Sequence, residues 1–389
     1  MAIGTGTTED VRRSNLAATL GILYRSGPVS RAALSKRTGR NRSTIASLVT
    51  DLVDLGLVEE RDPDSLGQVG RPSPMVRIRP EVTAIAVNPE IDALTIGLVG
   101  LDGVVRRVIR HEYDRIPTVG EVLSITGAVI AGMQVELDAL RVVGIGVAVP
   151  GQVRTGDGLV RNAPHLDWHD EAFGEPLAAT TGHPVLVGND AALGALAEHE
   201  FGAGRGHDHL IYLNGGASGI GGGVITGGTL LGGTSGYAGE LGHVRVSSSS
   251  VVDSAGIRGT LEAEVTRSEL LEALGLERAD AEQFEKALLS DRSARVAGIV
   301  ERQLEHLGSA LAAAINLLNP QMVALGGFLA ALQAYHPAGL ERAVAAACLA
   351  PSLEGVRITA AELGANLLMV GAAGLAFRPL LDDPAWIAR

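Results

Sequence analysis

Three stretches of this 389-residue chain set polar side chains beside glycine in ways that could do chemistry. In VLVGNDAALGALAEHE, Asn189 and Asp190 stand at the end of a short apolar run, just before a helical pattern. An aspartate at such a junction can accept a hydrogen bond from a hydroxyl, and can act as a general base where a phosphoryl acceptor lies beside it. The same pair also fits a plain helix cap. In Gly239-Glu240-Leu241-Gly242-His243 a carboxylate and an imidazole lie three residues apart between glycines. They can grip adjacent sugar hydroxyls, or be two polar side chains of a loop. NGGASGIGGGVITGG is a glycine-rich turn whose backbone N–H groups could cradle a phosphate. His207-Asp208-His209 has the spacing of a metal pair but reads better as a surface loop.

The elements that must position these residues alternate in type. From about residue 82, TAIAVN, ALTIGLVGL and VVRRVIR read as a three-strand meander, followed by a helix over 118–139 and a buried strand, VVGIGVAV. LIYLNGG, GGGVITGG and HVRVS then read as strands, followed by long helical stretches and the buried strand MVALGG. Two halves with the same β-rich start and α/β finish suggest a duplicated, actin-like α/β fold with a ligand cleft between them.

The first eighty residues differ. Residues 11–26 place Leu16, Leu20 and Leu23 at helical spacing and stop at Gly27-Pro28. Ser30 is placed to cap a second helix, RAALSKRT, with Ala33 and Leu34 facing inward, and Gly39 supplies a tight turn. A third helix starts near Asn41 or Ser43, carries Ile45, Leu48, Val49 and Leu52 as its apolar stripe, and ends at Gly56. Strands around LVEER and MVRIR close a winged helix-turn-helix order. In that geometry Arg40, Asn41, Arg42, Ser43, Thr44 and Ser47, at the start of the third helix, reach phosphates or base edges. Arg71, in Gly70-Arg71-Pro72, either enters a minor groove or is a linker arginine held by prolines.

Charge follows the same division. The net charge is −12, yet residues 1–50 hold eight basic side chains against two acidic ones, leaving −18 on the rest. A basic head on an acidic body suits nucleic-acid binding by the head. The single cysteine, Cys348, excludes an intramolecular disulfide and a cysteine-cluster metal site. Glycines and charges interrupt every apolar run before membrane-span length, and the N-terminus has no apolar signal core, so a cytoplasmic location is expected.

Taken in order, VPG, GND, the glycine hairpin, AGELGH, GTLE and NLLNPQMVALGG resemble the family of repressors, open reading frames and kinases known as ROK. The N-terminal VRRSN…GPVSRAALSKRTGRNRSTIASLVTDLVDLGLV…GRPSP is similar to its repressor branch, that of the N-acetylglucosamine and xylose repressors. The resemblance implies a winged helix-turn-helix over residues 1–80. It also implies a ribonuclease H-like sugar-kinase fold of two lobes over 81–389, binding a small carbohydrate effector. It places the sugar against Gly151, Asn189, Asp190, Glu240, His243 and Glu262, with Asp190 at the position of the kinase base. It implies operator DNA as partner and a homodimer or homotetramer.

Three departures from the family pattern bear on chemistry. The phosphate loop, elsewhere an aspartate followed by glycines and a threonine, here reads Asn88-Pro89-Glu90-Ile91-Asp92. Proline removes an N–H and Glu90 adds negative charge, so phosphoryl transfer is expected to be lost and no ATP cofactor is expected. The zinc knuckle CxCGxxGC aligns with residues 253–260, where Asp253, Ala255 and Thr260 replace its cysteines. No zinc is expected there, and hydrogen bonds from Asp253 and Thr260 are the expected means of fixing His243. Pro164-His165-Leu166 stands where Pro-Asn-Leu is usual, with Asn162 two residues before His165's proline. The sequence-level expectation is a non-enzymatic, sugar-responsive transcription regulator. The alternatives are an active ATP-dependent sugar kinase with an accessory DNA-binding domain, and a ligand-independent regulator with a vestigial cleft.

Overall fold

The computed structural model describes residues 8–61, 74–216 and 219–388. Helices Thr8–Ser26, Arg31–Thr38 and Arg42–Asp54 form the head, and each boundary has a local cause. Ser30 Oγ accepts the Ala33 N–H at 3.2 Å, and Asn41 Oδ1 accepts the Thr44 N–H at 2.8 Å. Gly39 and Gly56 end their helices at φ 67° and 69°, a left-handed geometry that glycine adopts without Cβ strain. Strands Val58–Arg61 and Met75–Ile78 pair antiparallel as the wing, and Val29–Ser30 adds a third strand on the Met75–Ile78 side.

The body contains two sheets of five strands each with one topology. Across the first lie Val185–Asn189, Arg141–Val149, Val82–Pro89, Ala93–Gly100 and Val105–Glu112. Across the second lie Arg357–Ala360, Met322–Gly327, Leu210–Gly215, Ile220–Thr226 and Thr229–Leu230. In both, the first three strands form an antiparallel meander, while the fourth and fifth run parallel to the first. The central strand Val82–Pro89 is buried along its whole length, as an apolar strand covered on both faces must be. This is the duplicated two-lobed sugar-kinase-like α/β fold.

Some local expectations differ. Residues 118–139 form helix Val119–Gly132 and a separate turn, Gln134–Leu137, broken at Met133. HVRVS is not a strand: Leu241–His243 is a 3-10 turn, and the third strand of the second sheet is Thr229–Leu230. The alternating valines there satisfy their backbone through local turns and one bridge, Arg245 to Thr260. Arg71 lies outside the described residues.

Head and body share a core. Leu16, Leu20, Leu23 and Tyr24 of the first helix are buried in one cluster with Ala372, Ala376, Phe377 and Leu380 of helix Leu367–Asp382. With the 3-10 turn before it, the stretch Gly364–Asp382 is long and apolar enough by composition to cross a membrane, but ten residues of the helix are buried within the protein. Helix Asp190–Phe201 packs against it and against strands Leu210–Gly215 and Ile220–Thr226 of the second lobe. Near its end, the buried Glu198 carboxylate accepts the backbone N–H groups of Ala203 at 2.8 Å and Leu363 at 2.9 Å.

Candidate functional site

A cleft of about 490 Å³ opens where the two lobes meet, and all six residues expected to hold the sugar line it. Gly151 follows the end of strand Arg141–Val149, and Asn189 ends the neighbouring parallel strand, so both lie at carboxyl ends of strands, where open α/β sheets bind ligands. Asn189 Oδ1 caps the following helix by accepting the Ala192 N–H at 2.8 Å, and its Nδ2 donates to the Gly151 carbonyl at 3.0 Å. The two readings of the Asn-Asp pair therefore divide between its members: Asn189 is the cap and brace, and Asp190 faces the cleft. A Cβ at Gly151 would come within 2.5 Å of the Asn162 carbonyl, so the close approach of strand Leu159–Ala163 requires glycine.

Asp190 sits at the floor of the cleft with Oδ1 accepting the Ala191 N–H at 2.7 Å. Burial, reinforced by the nearby Glu240 and Glu90 carboxylates, pushes its pKa up to about 7. Burial also raises Glu240 and Glu90. Glu262 lies in the first turn of helix Leu261–Glu264, which Thr260 caps. One of its oxygens accepts the Ile220 N–H at 2.9 Å and the other accepts the Ser254 N–H at 3.1 Å. His243 enters on the 3-10 turn, with Nδ1 2.8 Å from Asp253 Oδ2. Burial opposes a charge on this imidazole, but Asp253, Glu262 and Glu240 outweigh it and hold the pKa above the ordinary histidine value.

The turn at the first lobe's edge is closed. The Glu90 N–H donates to the Ala93 carbonyl at 2.7 Å, and Arg110 pairs with the Glu90 carboxylate at 3.1 Å. Asn88 is buried and donates to the Ala148 carbonyl at 3.0 Å. Glycines 221–223, read from sequence as a phosphate cradle, lie in a strand where packing demands them. A Cβ at Gly221 would stand 2.6 Å from Ala191 Cβ, and one at Gly223 2.6 Å from Ala195 Cβ. Their small size lets helix Asp190–Phe201 lie close on the sheet.

Sequence reasoning missed Gln152, Asn214 and Ser254, which also line the cleft. Gln152 directly follows Pro150-Gly151 and was accessible from that motif; the other two had no local signal. His165 and Asn162 line the cleft as well. His207 and His209 do not converge: His207 Nε2 meets Arg357 at 2.5 Å, whereas His209 Nδ1 lies 3.3 Å from Thr226 Oγ1. No group of three metal-ligating side chains occurs among the described residues.

In the head, Arg40, Asn41, Arg42, Ser43 and Ser47 are exposed and Thr44 is half-buried, all around the start of helix Arg42–Asp54. Among the described residues, no carboxylate pairs with Arg40 or Arg42. Arg31 and Arg77, by contrast, are paired with Glu60 and Glu59. The Asn41 side-chain oxygen is taken by the cap and by Ser43 Oγ at 2.8 Å, which leaves its amide nitrogen for any outside partner.

A winged-helix head fused through a common core to a sugar-kinase-like body with an acidic interlobe cleft defines the class. The ROK family profile matches residues 92–378 and the MarR family profile residues 17–65. The chain belongs to the ROK family. It is 26% identical over 384 residues to a xylose repressor of Bacillus spizizenii, spanning 96% of this chain and 97% of that protein. It is 38% identical over 202 residues to a glucokinase of Thermotoga maritima, spanning 47% of this chain and 63% of the glucokinase. A solved ROK family transcriptional regulator, a homolog of the Escherichia coli MLC protein, superposes with a TM-score of 0.79 at 24% identity, covering 96% of this chain and 97% of that one.

Proposed function

We propose that the protein is a cytoplasmic transcription regulator that binds operator DNA as a dimer and takes an unphosphorylated carbohydrate into the cleft without transferring phosphate to it. The observation that carries this reading is the placement of helix Asp190–Phe201. Its first residue lies on the cleft floor, and its last turn lies in the core shared with the head. A ligand that draws the lobes together acts on one end of a rigid element whose other end seats the first helix of the head. Two heads related by a two-fold axis match a palindromic operator.

The ligand class follows from charge. Glu90, Asp92, Asp190, Glu240 and Glu262 line the cleft, so hydroxyl or ammonium donors find acceptors there while a phosphate meets like charge. Phosphoryl transfer rests on positioning and on positive charge around the phosphates. Pro89 has no N–H to offer and the Glu90 N–H is spent on Ala93. A thermal-shift screen pairing free hexoses, pentoses and amino sugars with their phosphate esters tests this, since a ligand of the native state raises the midpoint by mass action. A free sugar is expected to raise it and its phosphate ester to leave it unchanged; the reverse pattern overturns the assignment. The kinase reading is favoured by Asp190, a carboxyl poised near neutrality where a sugar hydroxyl would lie. Sugar-dependent ADP release in a coupled assay would establish that reading and reject ours.

A further inference from the structure

The segment from Asp253 to Thr260 is where the family resemblance implies a zinc knuckle, and its side chains do not fit one. Asp253 supplies the one carboxylate, Ala255 has no donor, and Thr260 offers a neutral hydroxyl already engaged. The Asp253 side chain is wholly shielded from solvent, and both its oxygens are satisfied twice. Oδ1 accepts the backbone N–H groups of Ala255 at 2.9 Å and Ile257 at 2.8 Å. Oδ2 accepts the Thr260 hydroxyl at 2.9 Å and faces His243 Nδ1 at 2.8 Å. Thr260 Oγ1 in turn accepts the Ala263 N–H at 3.3 Å, in the turn that carries Glu262.

We propose that Asp253 is the positioning residue of the ligand cleft, a buried carboxylate knot that does without metal the work of orienting His243 and setting the Glu262 turn. A carboxylate at Nδ1 holds the proton on that nitrogen and presents Nε2 as the ring atom for the cleft. A loop closed by four hydrogen bonds to one carboxylate is fixed without a coordinated ion. The carboxylate is satisfied at the cost of burying a charge, and this is tolerable because every lone pair has a donor. Asp253 touches no ligand itself; it acts through His243 and Thr260. The proposal deepens the sugar-binding reading but does not depend on identifying the sugar.

The test uses the full chain and first requires no ligand. Histidine-selective 15N NMR should show His243 with the proton on Nδ1 and titrating above the ordinary histidine range. Asp253→Asn should lower that titration and scramble the tautomer, while Thr260→Ser should preserve both. The wild-type melting midpoint should be the same with phenanthroline, with EDTA and with added zinc. If Asp253→Asn fails to fold, Thr260→Val removes one donor from the knot and should shift the His243 titration away from its wild-type value. An unchanged His243 tautomer and titration in the variants, or a chelator-induced fall in the wild-type midpoint, overturns the proposal. With D-glucose, D-xylose and N-acetylglucosamine as calorimetric probes, Asp253→Asn should weaken whichever binds roughly 10-fold or more, the scale seen when a residue that orients a metal-bound histidine is lost. If none binds wild type, the sugar reading fails while the NMR and chelator results still decide the role of Asp253.

Discussion

Asp190 is a cleft residue poised between its two protonation states. Its carboxyl is held near 7 by burial and by Glu240 and Glu90, so at neutral pH the acid and carboxylate forms coexist. A sugar hydroxyl bound at Asp190, as proposed, would donate to the carboxylate, so binding would favour the deprotonated form. Calorimetric affinity for the sugar should rise as pH goes from 6 to 8 and flatten in Asp190→Asn. That variant should also lose roughly 10-fold or more in affinity, the scale of a hydrogen bond to a charged group. An affinity that falls with pH would place the proton, and the role of Asp190, the other way round. In the head, Arg42 is exposed and without a carboxylate partner among the described residues. If it meets a phosphate, Arg42→Ala should weaken binding to all DNA sequences alike and reduce the salt slope by about 1. A loss confined to one operator base pair would instead assign it to base readout.

The element that joins these sites is helix Asp190–Phe201, twelve residues and about 18 Å long at 1.5 Å per residue. At its far end Glu200 accepts the Tyr24 hydroxyl at 2.8 Å, and the Tyr24 and Phe201 rings meet edge to face at 4.9 Å. Burial pushes Glu200 up to about 7, with the Tyr24 hydrogen bond and Arg25 and Arg378 opposing. A carboxyl raised in the folded state contributes stability that is full below its unfolded value, near 4.5, and is lost as pH climbs through 7. From the spacing of those two values the loss is roughly 3 kcal/mol. Melting midpoints should accordingly fall between pH 5 and 8 in the wild type, and fall less in Glu200→Gln. Equal slopes would remove Glu200 from the interface energetics. Tyr24→Phe should leave sugar affinity intact while weakening the response of DNA binding to sugar; unchanged coupling would show that this contact is not a route between the sites.

At the scale of the whole molecule, legibility followed locality. The head was readable because its stripes, caps and glycine stops are written within a few residues of each other, as Asn41 and Gly56 show. The cleft was readable where motifs carried it. Dividing the Asn-Asp pair into a cap and brace, Asn189, and a cleft carboxyl, Asp190, required the structure. HVRVS misled because alternating valines look like a strand. The 3-10 turn that leads into it is folded tightly against Ile220, where a Cβ on Gly242 would come within 1.9 Å of the Ile220 carbonyl. The union of head and body was illegible because Tyr24 and Glu200 stand 176 positions apart and no pattern joins them. That union gives the cleft and the head one shared helix, Asp190–Phe201, and on it the functional claim rests. The most direct measurement is fluorescence-anisotropy binding of the full chain to DNA from its own upstream region at two salt concentrations, with and without the sugar that raises its melting midpoint. The account predicts salt-steep binding whose affinity shifts at least 10-fold on adding the sugar, with no ADP formed when ATP is present. DNA affinity unaffected by a sugar that demonstrably binds, or turnover of ATP with that sugar, would contradict it.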